Sequence, residues 1–268
     1  MKTHLKVIFT LLICLFLFSY NSKSEDRTLV EMTTNYGTMV IELYNETPLH
    51  RDNFIKLVND KAYDSLLFHR VIETFMIQGG DPDSRYAKSG AILGEGDLEY
   101  KIAAEFKPNL FHKKGALSTA REETLGRVSS AMQFFIVQGK IHNDSLLDVA
   151  ELRINKMLAR HYFLNEPENK ALWTAFKKSE DNEKQYTILY DSIIKRVESY
   201  TDFERYSIPK SHREIYKTLG GTPHLDQNYT VFGQVIEGLD IIDSIAKVKT
   251  DQWDRPLKNV IITSVRIK

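Results

Sequence analysis

Apolar and polar positions alternate near both ends of the chain. Val30 and Met32, then Met39, Ile41 and Leu43, set apolar side chains on one face of two short strands, and Asn35-Tyr36-Gly37 supplies the turn between them. Ile261, Thr263, Val265 and Ile267 alternate again at the far end. Phe68-His69-Arg70-Val71-Ile72, Gln133-Phe134-Phe135-Ile136-Val137 and Thr230-Val231-Phe232 are shorter runs of strand-forming residues. Two stretches follow the helical period instead. Thr47-Pro48 reads as a cap and a first-turn proline, with Phe54, Leu57 and Val58 as the buried stripe. Residues 238–247 carry Leu239, Ile242 and Ile245 on one side. Many short strands with two amphipathic helices predict a mainly β protein, a closed antiparallel barrel with helices over its ends.

Between these outer parts lies a different material. No glycine occurs from residue 140 to 219, whereas the flanking stretches hold all 13. Glycine marks tight turns and close backbone approaches, so its absence predicts helix. Leu147, Ala150, Leu152, Ile154 and Leu158 recur at near-helical spacing after the cap Asn143-Asp144. Pro167 opens a second helix through Trp173 and Phe176. Tyr186, Leu189, Ile193, Ile194 and Val197 mark a third, and Pro209 opens a short fourth that ends at Gly220. Balanced charge in this segment suits a small helical layer rather than a linker. The expected organisation is a leader over 1–24, a β domain over 25–268, and an α-helical insertion over 141–219 within it.

Composition narrows the function. The chain has 268 residues, 36 basic and 36 acidic, with 14 Phe, 13 Tyr and 2 Trp. A mean hydropathy of −0.33 excludes a polytopic membrane protein, and the aromatic content excludes a disordered tail. Zero net charge argues against a nucleic-acid coat. One cysteine excludes a disulfide scaffold. That cysteine, Cys14, lies in an apolar run over 7–18 behind Lys2 and Lys6, with Ser22-Lys23-Ser24 before the polar Glu25-Asp26. Twelve residues are short for a membrane span and right for a secretory signal core. The expectation is export to a periplasm or cell envelope, cleavage leaving no thiol and no integral span. An uncleaved N-terminal anchor is the alternative.

Three patches hold the candidate chemistry: Phe68-His69-Arg70-Val71-Ile72-Glu73-Thr74-Phe75-Met76-Ile77-Gln78-Gly79-Gly80-Asp81; Ala116-Leu117-Ser118-Thr119-Ala120-Arg121 with Gln133-Phe134-Phe135-Ile136; and Thr222-Pro223-His224-Leu225-Asp226-Gln227-Asn228-Tyr229-Thr230-Val231-Phe232-Gly233. On an extended strand Phe68, Arg70 and Ile72 share a face. An arginine among apolar neighbours is costly to bury unless something engages it, and Gln78 is placed to hold it. Phe75, Met76 and Phe135 then form an apolar hollow beside a permanently charged donor fork. The patches contain no nucleophile with an adjacent base. His69 has the opposite parity to Arg70 and reads as structural. The plain alternative for Arg70 is a barrel residue paired to a carboxylate, and the pattern leaves both readings open.

These patches resemble the signature of the cyclophilin-type peptidyl-prolyl cis-trans isomerases, in the family's order and over nearly the whole chain outside the leader and the insertion. The resemblance implies an eight-stranded barrel capped by two helices, with a substrate groove on its outer face. It implies rotation about X-Pro bonds without metal or cofactor, acting on proline-containing polypeptides and unfolded client proteins during folding of exported proteins, as a monomer. Carried over by position, Arg70 is the catalytic arginine with Gln78 orienting it. Phe75, Met76, Phe135 and Leu225 line the proline pocket, Gln133 orients the peptide backbone, and Ala120 and Arg121 pair with it. The chain departs from the family at His224, where a tryptophan tied to cyclosporin binding is frequent, and at Tyr229, where the family has a histidine. The family's Met-Ala-Asn is Thr119-Ala120-Arg121 here, with Glu122 following as a candidate partner for Arg121. The loop 123–132 keeps only Gly126. His224 and Tyr229 leave open a second reading, a proline-binding chaperone or scaffold without turnover. Trp173 and Phe176, expected at the surface, suggest that the insertion roofs the groove or recruits unfolded chains; an inert spacer is the alternative.

Overall fold

The computed structural model describes residues 26–88 and 90–268; the leader expected over 1–24 lies outside them. Ten strands are present among the described residues: β1 (Leu29–Thr34), β2 (Gly37–Leu43), β3 (Phe68–Ile72), β4 (Met76–Gly79), β5 (Lys101–Ile102), β6 (Ala116–Thr119), β7 (Ser129–Ser130), β8 (Phe134–Val137), β9 (Val231–Glu237) and β10 (Ile262–Ile267). Eight of them form one sheet in the order β10-β1-β2-β9-β6-β8-β4-β3, and β5 pairs with β7 apart from it. Every pairing is antiparallel. The sheet curls until its edges approach, but β3 and β10 share no ladder. The neighbouring Leu67 and Ile261 form one isolated bridge, flanked by Ile262 N–H donating to Leu66 O at 2.8 Å and Phe68 N–H to Val260 O at 2.9 Å. The eight antiparallel strands match the expectation; the continuous closed barrel does not, and the edges meet only at this single seam.

The first hairpin follows the alternation, with Met32 opposite Met39 and Val30 opposite Ile41. Gly37 holds φ +137°, a backbone conformation that residues with a Cβ rarely adopt, so the turn favours glycine. The last strand does not follow its expected parity. The core takes Ile262 and Val265, because a register shift at Thr33/Thr34 sets Thr34 against Ile262 and brings Ile262 onto the face of Val265; Ile267 keeps the parity of Val265 but is exposed at the strand's end.

Helix α1 (Pro48–Asn59) buries Phe54, Leu57 and Val58 as the pattern predicts. Thr47 stands at its N-cap but makes no side-chain cap. The Glu105 carboxylate caps instead, accepting from Leu49 N–H at 3.2 Å and His50 N–H at 3.0 Å, where negative charge meets the helix dipole.

Four helices lie between β8 and β9: α2 (Asp144–Asn165), α3 (Lys170–Lys178), α4 (Glu183–Val197) and α5 (Lys210–Thr218). Asn143 caps α2 by accepting from Leu146 N–H at 2.9 Å. Lys140 and Gly221 bridge each other, so the segment leaves and rejoins the sheet at one point. Its apolar side chains divide into two clusters, one around Ile154 and Tyr216 and one around Phe176 and Ile193. Two expectations change here. Leu152 is half exposed, and Phe176, expected at the surface, is 1% exposed, with Trp173 half-buried beside it. The final helix, α6 (Leu239–Ala246), buries Ile242, Ile245 and Ala246 against the sheet.

Candidate functional site

Strand β3 carries the candidate arginine, and its register explains how the side chain is aimed. Phe68 pairs with Gly79 and Arg70 with Gln78, so the ladder slips by one residue at His69. Such a slip turns the following side chain to the opposite face. Phe68 therefore enters the main core, edge-on to Phe134 at 6.0 Å, while Arg70 points outward. The shared face expected for Phe68 and Arg70 is thus corrected. His69, 3% exposed with no partner on either ring nitrogen, is structural; burial pushes it down to about 4, although Asp81 works against the shift.

Arg70 is held from two sides. Its NH1 donates to Gln78 Oε1 at 3.4 Å, and its Nε lies 3.5 Å from Asp254 Oδ2. Both partners of this ion pair leave about two-fifths of the side chain exposed, so it is a rim contact of little energetic weight and the guanidinium stays reachable. Asp254 reaches the site from a turn in which it adopts φ +63°, fixed by Val71 N–H donating to Asp254 O at 2.8 Å. Nothing local in the sequence connects it to Arg70.

The brace continues inward with consistent donor polarity. Gln78 Nε2 donates to Gln133 Oε1 at 3.0 Å, and Gln133 Nε2 donates to Gly94 O and Gly96 O at 2.8 and 2.7 Å. Each amide is thereby oriented, and Gln78 presents its carbonyl to the arginine.

Beside the brace, Met76, Phe135 and Leu225 are almost wholly buried and form an apolar floor, with Phe75 and Tyr229 partly exposed at its margin. Tyr229 meets Phe135 edge-on at 5.9 Å, and His224 stacks on Phe75 at 5.7 Å. Burial pushes the His224 imidazole down to about 4, so it is neutral at pH 7. A buried network supports the turn that carries Leu225: Asp226 accepts from His112 N–H at 2.9 Å and Tyr216 O–H at 2.8 Å. Tyr216 belongs to α5, so the helical segment props the site from behind.

The backbone edge is narrower than expected. Ala120 N–H donates to Gln133 O and Ala120 O accepts from Ser130 N–H. The Arg121 backbone makes no such bond among the described residues, so the edge open to an added strand begins there. The Arg121 side chain donates from Nε to Asn228 O at 2.7 Å and lies over the Tyr229 ring at 4.8 Å. The expected partner Glu122 contributes only its backbone carbonyl to Arg121, and its carboxylate pairs with Lys101 at 3.0 Å.

An outward-facing, permanently charged donor fork beside an apolar aromatic floor, on a curled antiparallel sheet, defines a peptide-binding protein equipped to stabilise electron density without forming a bond. The family model for the cyclophilin type peptidyl-prolyl cis-trans isomerase/CLD domain matches residues 29–152 and 174–267. The chain belongs to the cyclophilin-type peptidyl-prolyl cis-trans isomerases. A Staphylococcus haemolyticus protein named as a peptidyl-prolyl cis-trans isomerase is 31% identical over 250 residues, covering 92% of this chain and 96% of that protein. A Streptococcus pyogenes protein named as a bifunctional phosphatase/peptidyl-prolyl cis-trans isomerase is 30% identical over 241 residues; they are 89% of this chain but only 38% of that longer protein. The crystal structure of a Cryptosporidium parvum cyclophilin type peptidyl-prolyl cis-trans isomerase shares the fold, with a TM-score of 0.54 at 19% identity over 90% of this chain and 98% of that one. A second structure of that protein, in the presence of the dipeptide Ala-Pro, gives 0.52 at the same coverage.

Proposed function

We propose that Arg70 is the catalytic donor of this isomerase, that Gln78 and Gln133 position it, and that the floor of Met76, Phe135 and Leu225 with its margin of Phe75, His224 and Tyr229 receives the proline ring of a polypeptide. Rotation about an amide surrenders resonance, a barrier of about 18–20 kcal/mol. The two isomers of an X-Pro bond differ by only about 0.5–1 kcal/mol, so the task is kinetic. As conjugation is lost, the prolyl nitrogen becomes pyramidal and its lone pair, delocalised in the planar amide, localises on it. A guanidinium aimed at that nitrogen binds it more tightly in the twisted state than in either planar one, as catalysis requires. The apolar floor holds the ring while the preceding carbonyl turns, and excluding water strengthens the arginine's pull. The Arg121 backbone offers an edge to which the extended substrate adds.

The observation that carries this reading is the guanidinium that remains open outside while braced by two glutamines inside. The dipeptide named with the Cryptosporidium parvum structure supports a proline ligand. We place the action on exported, proline-containing client proteins, with the chain acting as a monomer; the charged and apolar pattern over 1–24 supports the export. Among the described residues no helix is long and apolar enough to cross a membrane. Catalysed isomerisation of a proline tetrapeptide tests the assignment: Arg70→Ala is expected to lose about 100-fold or more in rate, the scale of removing a key electrostatic donor, with the fold intact by circular dichroism. A wild type that binds the peptide but gives no acceleration supports the non-catalytic binder instead.

A further inference from the structure

Beyond the Tyr229 margin of the groove lies a cavity of about 390 Å³ that the proline chemistry does not use. It is built jointly by the loop after β6, which supplies Arg121, Glu123 and Arg127, and by α2, which supplies Arg160 and His161. Three arginines thus line one space with a single carboxylate among them. Burial and the neighbouring Arg121 push Arg127 down to about 10. Burial with Arg127 and Arg121 pushes His161 down to about 4, so the histidine adds no charge at pH 7 and the site holds an excess of about two positive charges at that pH.

The hydrogen bonding is incomplete as well. Each guanidinium carries five N–H donors. Among the described residues Arg121 gives two of them, to Asn228 O and Glu122 O, and Arg127 gives one, to Gln227 O at 2.9 Å. Arg160 NH1 pairs with Glu123 at 3.0 Å, but its Nε and NH2 are buried with no partner. A buried unpaired donor is costly, and more so when charged. The protein retains this arrangement at some expense elsewhere: Arg127 is held at φ +49°, a conformation unfavourable for any residue with a Cβ. Aromatic faces steady the forks, Phe106 under Arg127 at 4.6 Å and Tyr190 under Arg160 at 5.4 Å.

Resting on the isomerase reading above, we infer that this cavity is a specificity subsite for an acidic side chain of the substrate polypeptide, close in sequence to the isomerised proline. The distance fits. From the Phe135 ring by way of Tyr229 to the Arg121 guanidinium the contacts are 5.9 and 4.8 Å, a path of about 11 Å that three extended residues span. A carboxylate arriving there meets the N–H groups that Arg121 and Arg127 leave unused, in the bidentate geometry suited to a planar fork, while Arg160, its Nε and NH2 enclosed, adds its positive charge from the wall. The helical segment therefore takes part in reading the sequence around proline rather than serving as a spacer.

The test compares peptides that carry Glu or Gln, one position at a time, within three residues on either side of proline. At low salt, Glu at one of these positions is expected to raise kcat/KM about tenfold over Gln through KM, with the gain shrinking in 0.5 M NaCl. Arg160→Gln and, separately, Arg127→Gln are each expected to reduce the Glu/Gln ratio toward one; comparing ratios within each protein removes any loss of folded material. Equal turnover of Glu and Gln peptides at every position by the wild type overturns the subsite while leaving the isomerase intact. If the wild type accelerates neither peptide, the isomerase reading fails on its own. Calorimetric affinities of the same pair then decide the subsite, tighter binding of Glu supporting it and equal binding overturning it.

Discussion

The sheet and the helical segment each bury a phenylalanine to 1% exposure, yet the two rings sit in different kinds of core. Phe134 meets Phe54, Tyr63 and Phe68 edge-on at 5.5–6.0 Å, partners up to 80 residues away in sequence that are themselves almost inaccessible. Phe176 is surrounded by Trp173, Tyr186 and Tyr190, all close in sequence and all partly exposed. A core assembled from distant residues is lost or kept as a whole, and it holds β3, β4 and β8 in the register that aims Arg70. A core assembled locally can loosen by itself. On the function proposed above, the sheet carries the bond rotation, and the helical segment, expected to yield first, supplies a wall.

Substitutions can break or sharpen this contrast. Phe134→Ala is expected to cost about 4 kcal/mol and to unfold the sheet cooperatively, abolishing activity at elevated temperature. Phe176→Ala creates a similar cavity, yet hydrogen exchange should show protection lost in α3 and α4 while β8 and β9 remain protected. Uniform loss of protection over both regions would erase the distinction.

Gln133→Ala should have an intermediate effect. It leaves the carbonyls of Gly94 and Gly96 and the amide of Gln78 without their partner, costing about 1–3 kcal/mol in a denaturant titration. A rate loss of about tenfold is expected from the freed Arg70, smaller than for removal of the arginine itself.

The buried His69 gives the sheet a pH dependence. Its folded pKa is about 4, and an unfolded histidine titrates near 6.5. The unfolded chain thus binds the extra proton between these values, so the full stability is present above about pH 6.5 and is lost progressively as pH falls toward 4. At pH 5 His69 accounts for a loss of about 2 kcal/mol by this linkage, and His69→Leu is expected to remove that share of the pH 7 to 5 difference in urea titrations, while His224 and His161, also held at about 4, keep theirs. Asp254→Asn should matter least. The Arg70 pair is solvent-exposed, so rate and stability should change less than about threefold and about 0.5 kcal/mol; a larger rate loss would make Asp254 a positioning residue.

Much of this architecture was legible from residue periodicity. Met32, Met39 and Ile41 alternate because a strand's faces alternate, and Asn143 before the helical stripe ends as a true cap. The N-terminus of α1 was not legible, since its cap, Glu105, comes from more than 50 residues downstream. Nor was the direction of Arg70. Strand parity sets Phe68 and Arg70 together, and only the slip at His69, imposed by pairing with β4, separates them.

By itself the sequence determined the first hairpin, β3, β8, β9, the helices and the hollow of Phe75, Met76 and Phe135, because local periodicity and residue chemistry act over a few positions; Leu225 and Gln133 were read from the family resemblance, and β4 to β7 carry no alternation that marks them. Tertiary structure alone decided that the sheet's edges meet at one bridge, that Asp254 reaches Arg70, and that Arg160 joins Arg121 and Arg127 around one cavity. Those outcomes depend on contacts between residues far apart in the chain, and no local pattern encodes which distant groups the folded backbone brings together.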